Sequence, residues 1–153
     1  MSDYVVNSSQ SWIYVIYGVY RLNLTIAKGK VLATNYHILV VDDDVSICSL
    51  LRLFFSRSGY TVSEAHDGID GLEIARQYQP DLIMSDTHMP RMGGIEMAEA
   101  LRADPHFVAI PIILLTGSVD ISVVRNMTMH FDAVIAKPFQ FAQLNQTVTA
   151  LLG

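Results

Sequence analysis

Cysteine, charge and long apolar runs are all scarce in this sequence of 153 residues. The single cysteine, Cys48, excludes an internal disulfide and is typical of a reducing cytosol, so we expect a cytoplasmic protein. Charged residues make up only 16% of the chain, yet no apolar stretch approaches the roughly 18 residues that would span a bilayer. The sequence therefore predicts a protein outside the membrane that is long enough to bury one sizeable core.

Basic charge is scarce beyond residue 36. Residues 1–36 carry three basic side chains and one acidic side chain, a net charge of +2, whereas residues 37–153 carry seven basic and fourteen acidic side chains, a net charge of −7. An acidic surface has no positive field for phosphates, so we expect no direct binding of DNA or RNA. The change in composition predicts two parts, an N-terminal extension of residues 1–36 and a domain of residues 37–153.

The composition of the N-terminal extension favours β-structure. Residues 12–20 are nearly all aromatic or β-branched, and apolar and polar residues alternate over residues 21–26. Residues 27–30 are suited to turn the chain toward residues 31–33 as a hairpin partner. The apolar edge of such a sheet needs cover from the domain or from another copy of the chain, which makes the extension a candidate surface for homo-oligomerisation.

Two alternatives for the extension stay open. Residues 12–20 have about the length of the apolar segment of a signal peptide. Against this, Asp3 precedes them without any lysine or arginine, and no good small-x-small cleavage site follows Tyr20. The second alternative is that the extension is an upstream sequence wrongly joined to a domain that starts near His37.

From Tyr36 onward, short apolar runs alternate with amphipathic segments. The runs predict five strands, over about residues 38–41, 60–62, 82–84, 110–115 and 133–136. Apolar residues at helical spacing predict a helix after each strand, and the fourth of these, over about residues 119–129, has the weakest pattern. Five strands that alternate with five helices predict an α/β fold, a flavodoxin-like doubly wound (βα)5 domain with a five-stranded parallel sheet, preceded by the β-prone extension.

Polar side chains follow the carboxyl ends of four predicted strands. Asp42 and Asp43 follow the first, Asp86 the third, Thr116 the fourth and Lys137 the fifth. The ends of parallel strands meet at one edge of the sheet, where open α/β sheets place their ligands. Converging carboxylates raise one another's pKa, and a hard cation such as Mg²⁺ relieves the repulsion while keeping several water ligands. The sequence therefore predicts a magnesium site at this edge.

The same residues are suited to in-line attack on phosphorus. Asp86 beside Mg²⁺ can form an acyl phosphate, Lys137 supplies a charge for a phosphoryl oxygen or for Asp86, and Thr116 supplies a hydroxyl donor. Gly117 leaves room for the incoming group. Each residue alone also has a structural explanation, as Asp44 does in capping the first helix, but their coincidence at matching strand ends favours the chemical one.

Over residues 36–152, about three quarters of the chain, the sequence resembles the receiver domain of bacterial two-component response regulators. The matching segments are ILVVDDD, PDLIMSDTHMPRMGG, PIILLTG and AKPF, in that order and at the usual separations. The resemblance implies that Asp42 and Asp43 are the metal-binding acidic pair. It implies that Asp86 is both the phosphoacceptor and a metal ligand, and that the backbone carbonyl of His88 is the remaining protein ligand of Mg²⁺.

The resemblance further implies a reaction and its partners. Thr116 and Lys137 match the pair that senses the phosphoryl group, and a cis peptide is implied before Pro138. Asp86 would take a phosphoryl group from a sensor histidine kinase or a histidine phosphotransfer protein, and the domain itself would catalyse the later loss of the group to water. Beyond this self-catalysed phosphorylation and dephosphorylation, we expect no enzyme activity.

We expect phosphorylation to change a docking surface for a downstream protein target. In the family this surface is made by the fourth helix, the fifth strand and the fifth helix of the domain. Candidate residues for it are Met127, Met129, His130, Val134 and Phe139. No output domain follows the last helix, so the chain reads as a single-domain, chemotaxis-regulator-like protein or as a receiver excised from a longer one.

The sequence departs from the family pattern around the fifth strand. Val134 stands where the family usually has a Tyr or Phe that swings inward with the threonine, so the aromatic half of the switch is missing or replaced. His130 and Phe131 replace a small Gly-Ala pair, and Phe131 reads as core packing more readily than as a substitute ring.

His88 and Ser118 flank the site entrance, where we expect them to tune the phosphoryl lifetime. The other histidines read as surface residues.

Three classes of function stay open, and the first is the best supported. The first is a phosphoacceptor signalling module. The second is a receiver-like interaction module that acts without phosphorylation, which Val134 and the extension keep open. The third is a phosphatase with an aspartyl nucleophile on a related sheet, but such enzymes need a second acid where this chain has His88.

Overall fold

The computed structural model describes residues 5–6, 12–17, 20–27, 30–33, 36–117 and 129–153, and before Tyr36 it describes the course of the backbone only. The chain divides into two compact units, Met1–Asn35 and Tyr36–Gly153. In the described residues, no helix is long and apolar enough to cross a membrane.

The first unit contains a four-stranded antiparallel sheet. Its strands, in sheet order, are β1 (Val5–Val6), β2 (Trp12–Tyr17), β3 (Tyr20–Ala27) and β4 (Lys30–Ala33). Ala27 lies opposite Lys30, which confirms the hairpin expected over residues 27–33. The β-prone stretch of residues 12–20 is not one strand, because the chain reverses between Tyr17 and Tyr20, which lie opposite each other.

The second unit alternates strands with helices. Its elements are β5 (His37–Val41), α1 (Val45–Arg57), β6 (Thr61–Ala65), α2 (Gly68–Tyr78), β7 (Leu82–Asp86), α3 (Gly94–Ala103), β8 (Ile112–Thr116), β9 (Ala133–Ala136) and α4 (Phe141–Leu152). The strands pair in parallel in the order β6-β5-β7-β8-β9. This flavodoxin-like order confirms the predicted fold class. The predicted helix over residues 119–129 falls outside the described residues except for Met129, which lies in a turn.

Local signals in the sequence set the ends of the helices. Asp44 caps α1 and Asp67 caps α2, each by accepting hydrogen bonds from two backbone N–H groups of the first turn. After α1, Gly59 has a φ of 93°, a left-handed conformation that favours glycine and lets the chain turn into β6. The cap at Asp44 that the sequence predicted is therefore confirmed.

Two strands differ from their predicted ranges for identifiable reasons. The strand β6 extends to Ala65, past its predicted end, because its residues stay paired with β5 as far as Ala65, which lies opposite Val41. The strand β8 begins at Ile112 rather than at residue 110, since Pro111 has no N–H to donate to a sheet.

The side chains of the parallel sheet alternate between two apolar layers. Leu39 and Ile83 pack against α2 and α3 on one face, whereas Val40 and Met84 pack against α1 and α4 on the other. Every residue of β7 is buried. Because both faces of the sheet are covered, its strand ends are where polar groups can reach solvent.

Candidate functional site

The first acidic pair lies at the carboxyl end of β5. Asp42 is 1% exposed, and its backbone N–H donates to the carbonyl of Ala65 in the neighbouring strand (3.1 Å). Its carboxylate Oδ1 accepts the backbone N–H of Asp44 at 2.9 Å. Asp43, the next residue, has an exposed side chain. One carboxylate of the predicted pair is therefore held inside the fold, and the other is open to solvent.

Asp86 ends the buried strand β7, next to β5 in the sheet. It is 8% exposed, and its Oδ2 accepts the backbone N–H of His88 at 2.8 Å. The carboxylate is thus turned back over the loop that follows the strand. Gly94 makes this close packing possible, because a Cβ at that position would lie 2.0 Å from the carbonyl oxygen of Asp86.

Lys137 joins the two carboxylates. It directly follows β9, and its Nζ lies 2.7 Å from Oδ2 of Asp42 and 2.6 Å from Oδ1 of Asp86. We call Lys137, Asp42 and Asp86 the site cluster. The peptide between Lys137 and Pro138 is cis, as the resemblance implied. The structure therefore brings together three of the predicted site residues, which come from three different strands.

Burial and charge act in opposite directions within the site cluster. Burial raises the pKa of Asp42 above the usual carboxyl value, against the hydrogen bonds from Lys137 and the Asp44 N–H. For Lys137, burial opposes the positive charge, but the two carboxylates outweigh it and raise the pKa of the ammonium. The lysine therefore stays charged at neutral pH, while the charge of Asp42 is only partly compensated.

Thr116 lies at the end of β8, at the same edge. Its residue is 2% exposed, and its carbonyl accepts the backbone N–H of Lys137 at 2.7 Å, which ties the end of β8 to the lysine. Gly117 is exposed, and a Cβ there would meet no described atom within 4 Å, in keeping with the space expected beside the threonine. Ser118, the predicted partner of His88 in tuning, falls outside the described residues.

The donors at this edge suit Mg²⁺. Asp42, Asp43 and Asp86 are carboxylates at the ends of adjacent strands, and Mg²⁺ prefers oxygen ligands and keeps several of its waters. Within residues 36–117 and 129–153, no three His, Cys, Asp or Glu side chains are already grouped as a metal cluster. An ion bound through one or two carboxylates needs no such group, so the residues fit the ion, with the ammonium of Lys137 beside it.

The residues expected to form the docking surface for a downstream target differ in exposure. Met129 is 82% exposed, while Phe139 is half-buried against the layer of α1 and α4. Val134 lies opposite Leu114 of β8 and packs against the other layer. Phe131 is 7% exposed within that layer, which supports core packing over a substitute ring. Met127 is outside the part of the chain that the structure describes.

The prediction that the histidines other than His88 lie on the surface is only partly correct. His66 and His106 are exposed, as is His88 itself. His37 is half-buried, and its Nε2 lies 2.8 Å from the hydroxyl of Ser63. His130 is also half-buried, and its Nδ1 is buried without a hydrogen-bond partner. The rings meet residues that are distant in sequence, Ser63 and Tyr78 for His37 and Glu99 for His130, which a local sequence pattern does not show.

One set of residues beside the site was missed by the sequence analysis. Arg91, in the loop after β7, donates from Nε to Oδ2 of Asp67 at 2.6 Å and from Nη2 to Oδ1 of Asp70 at 2.7 Å. We call Arg91, Asp67 and Asp70 the loop clamp. The sequence shows only an Asp-Gly helix start and a Pro-Arg-Met-Gly-Gly turn; a charged residue inside that turn was the one available signal.

Comparisons with known proteins agree with this fold. A family model described as the response regulator receiver domain matches residues 38–149. The solved structure of the chemotaxis response regulator CheY4 of Vibrio cholerae is similar with a TM-score of 0.73 and 30% identity, over 78% of this chain and 100% of that chain. The signal receiver domain of a signal transduction histidine kinase from Syntrophus aciditrophicus has a TM-score of 0.71 and 32% identity, over 76% and 89%.

Curated relatives are regulators of which this chain resembles one part. The transcriptional regulator RpaA of Synechocystis is 36% identical over 116 residues, which are 75% of this chain and 48% of RpaA. The alkaline phosphatase synthesis regulator PhoP of Bacillus subtilis is 38% identical over 119 residues, 77% of this chain and 49% of PhoP. The chain spans about half the length of these relatives.

These findings define a flavodoxin-like α/β domain with an acidic site at the carboxyl edge of its sheet. The chain belongs to the family of response regulator receiver domains, the receiving modules of two-component signal transduction.

Proposed function

We propose that residues 37–153 form a phosphoacceptor receiver domain that takes a phosphoryl group on Asp86. The observation that carries this proposal is the site cluster: the Asp86 carboxylate lies at the sheet edge, 2.6 Å from the ammonium of Lys137, which also binds Asp42. The donor would be a sensor histidine kinase or a histidine phosphotransfer protein. Membership in the receiver family supports this assignment and disfavours the aspartyl phosphatase alternative.

In the proposed reaction an oxygen of Asp86 attacks the phosphorus of a phosphohistidine. The new O–P bond forms as the N–P bond breaks, and the histidine nitrogen leaves with the electron pair. The backbone N–H of His88 orients the Asp86 carboxylate, and Lys137 stabilises negative charge on the phosphoryl oxygens. When bound by Asp42, Asp43, Asp86 and the His88 carbonyl, Mg²⁺ supplies further neutralisation of that charge.

The phosphorylated domain would signal through a protein surface. Thr116, at the end of β8, would donate its hydroxyl to the phosphoryl group, and its shift toward that group would bias the surface of the predicted fourth helix, β9 and α4 toward a downstream target. His88 and Ser118 would set the lifetime of the phosphoryl group. We propose no direct contact with nucleic acid for residues 37–153, because their net charge is −7.

The test is phosphorylation of the purified chain by acetyl phosphate with Mg²⁺, read by intact mass. We expect a gain of about 80 Da, one phosphoryl group, that is absent without metal and absent in Asp86→Ala. Asp104→Asn, which removes a carboxylate at the far end of α3, is the matched control and should still gain the mass. A folded wild-type protein that gains no mass would refute the proposal and support the alternative that Val134 keeps open, an interaction module that acts without phosphorylation.

A further inference from the structure

The loop that follows Asp86 is held at its base and at its tip. At the base, the backbone N–H of Gly94 donates to the carbonyl of Thr87 at 3.0 Å. At the tip, the backbone N–H of Gly68, the first residue of α2, donates to the carbonyl of Met92 at 3.0 Å. His88 lies between these two points, so the position of its backbone depends on both.

The loop clamp reinforces the tip, and the two carboxylate oxygens of Asp67 accept hydrogen bonds from different groups. Oδ1 accepts the backbone N–H groups of Ile69 and Asp70 and so caps α2. Oδ2 accepts from Nε and Nη2 of Arg91. The helix cap and the ion pair therefore use different atoms of one carboxylate, and one can be removed without the other.

The backbone of Arg91 has a conformation that usually favours glycine. Its φ is 62°, in the left-handed region where a residue with a Cβ is strained and glycine is not. A purely structural turn would be served better by glycine at this point. The arginine side chain instead reaches Asp67, the N-cap of α2, and Asp70 in its first turn, and these contacts hold the strained turn in place.

We propose that Arg91 is a positioning residue for the metal site: by anchoring the tip of the loop to Asp67, it holds the backbone of His88 where its carbonyl can bind Mg²⁺. This inference rests on the proposed function. Partners that orient metal ligands typically affect metal affinity about tenfold or more when they are removed. The rate of the reaction once the metal is bound should depend on the clamp much less.

The test compares Arg91→Gly, Asp67→Asn and wild type by two readouts. Arg91→Gly fits the φ of 62° but removes the ion pairs, and Asp67→Asn keeps the oxygen that caps α2 but replaces the one that binds Arg91. The Mg²⁺ dissociation constant of the unphosphorylated protein is measured by calorimetry, and the phosphorylation rate with acetyl phosphate is measured across Mg²⁺ concentrations. Arg52→Ala is the matched control, because it removes the surface pair of Arg52 with Glu64, and the side chain of Arg52 is about as exposed as that of Arg91.

We expect both variants to raise the Mg²⁺ dissociation constant about tenfold, with rates at saturating Mg²⁺ within about twofold of wild type. The double variant should bind no more weakly than Arg91→Gly alone, since Asp67→Asn removes a contact that Arg91→Gly has already broken. Dissociation constants within about twofold of wild type in both variants, or a loss of rate that saturating Mg²⁺ does not restore, would overturn the inference. If wild type binds Mg²⁺ but is not phosphorylated, the proposed function fails while calorimetry still decides the role of Arg91.

Discussion

The site cluster and the loop clamp have the same composition, one cation between two carboxylates, and differ in what surrounds them. In the site cluster, Asp42 accepts one backbone N–H and the ammonium of Lys137. In the loop clamp, Asp67 accepts two backbone N–H groups and two donors of Arg91. Asp42 and Asp67 are both buried, with exposures of 1% and 4%, so the number of donors separates them.

The pKa shifts of the two carboxyls have opposite signs. Burial raises the pKa of Asp42, because its few donors do not replace the lost water. Desolvation also acts on Asp67, but hydrogen bonds from the Asp70 N–H and from Arg91 outweigh it and lower the pKa. A buried carboxylate with charge left uncompensated is suited to bind a cation, whereas a fully paired one stabilises structure.

The largest loss of stability should come from replacing the glycines that allow close packing beside each cluster. Gly94→Ala would bring a Cβ within 2.0 Å of the Asp86 carbonyl, and we expect a loss of about 3 kcal/mol or more in the free energy of unfolding. Gly68→Ala beside the loop clamp would meet the flexible side chain of Met92 at 2.6 Å and its carbonyl at 2.9 Å, and should cost less. Urea unfolding of both variants measures this, and a larger loss in Gly68→Ala would contradict the comparison.

The next effect should come from removing the cation of the site cluster. Lys137→Met leaves Asp42 and Asp86 buried without their shared partner, so we expect a loss of about 2 to 3 kcal/mol at neutral pH, once the partial exposure of the lysine is allowed for. Saturating Mg²⁺ should recover most of that loss, because the ion supplies the missing charge. Urea unfolding with and without MgCl₂ checks both statements, and a variant as stable as wild type without metal would show that the carboxylates need no cation.

Smaller changes in Tm should distinguish the two carboxyls themselves, because substitution of Asp42 and of Asp67 should change the Tm in opposite directions. Asp42→Asn removes a charge that burial disfavours, so its Tm at pH 7 should rise by a few degrees, whereas Asp67→Asn removes a well-paired charge and its Tm should fall. Thermal unfolding followed by circular dichroism measures both. Shifts of the same sign in the two variants would show that donor number does not separate the carboxyls.

The smallest effect should be the pH dependence of the Tm differences between these two variants and wild type. Because the folded pKa of Asp42 is raised, the advantage of Asp42→Asn is full above that pKa and vanishes as the pH falls to the unfolded value of about 3.9. Because the folded pKa of Asp67 is lowered, the cost of Asp67→Asn is full above about 3.9 and is lost as the pH falls through the folded pKa. Tm profiles from pH 7 to acid would show the Asp42→Asn difference closing first, and the reverse order would contradict the assigned shifts.

Much of the fold was predictable because apolar periodicity is a local signal. The runs that became β5, β7 and β8 are buried on both faces, so their sequences carry few polar residues. The convergence of Asp42, Asp86 and Lys137 followed from parallel strands alone, which place their carboxyl ends together.

The parts that were missed depend on contacts across the fold. Arg91 meets Asp67 across 24 residues, and neither residue differs in its local pattern from an ordinary turn residue or an ordinary helix cap. The extent of β6 likewise depends on its pairing with β5, in which Ala65 lies opposite Val41. The reversal between Tyr17 and Tyr20 was hidden because both sides of it are equally β-prone.

The long separations within the site cluster have a consequence for when the protein can act. Lys137 is 95 residues from Asp42 and 51 from Asp86 along the chain, so the cluster exists only once β9 has joined the sheet. A chain still emerging from the ribosome carries the acceptor aspartate long before it carries the lysine. Under the proposed function, nascent or partly degraded chains would be poor substrates for a kinase, and the phosphoryl group would be transferred only to completely folded domains.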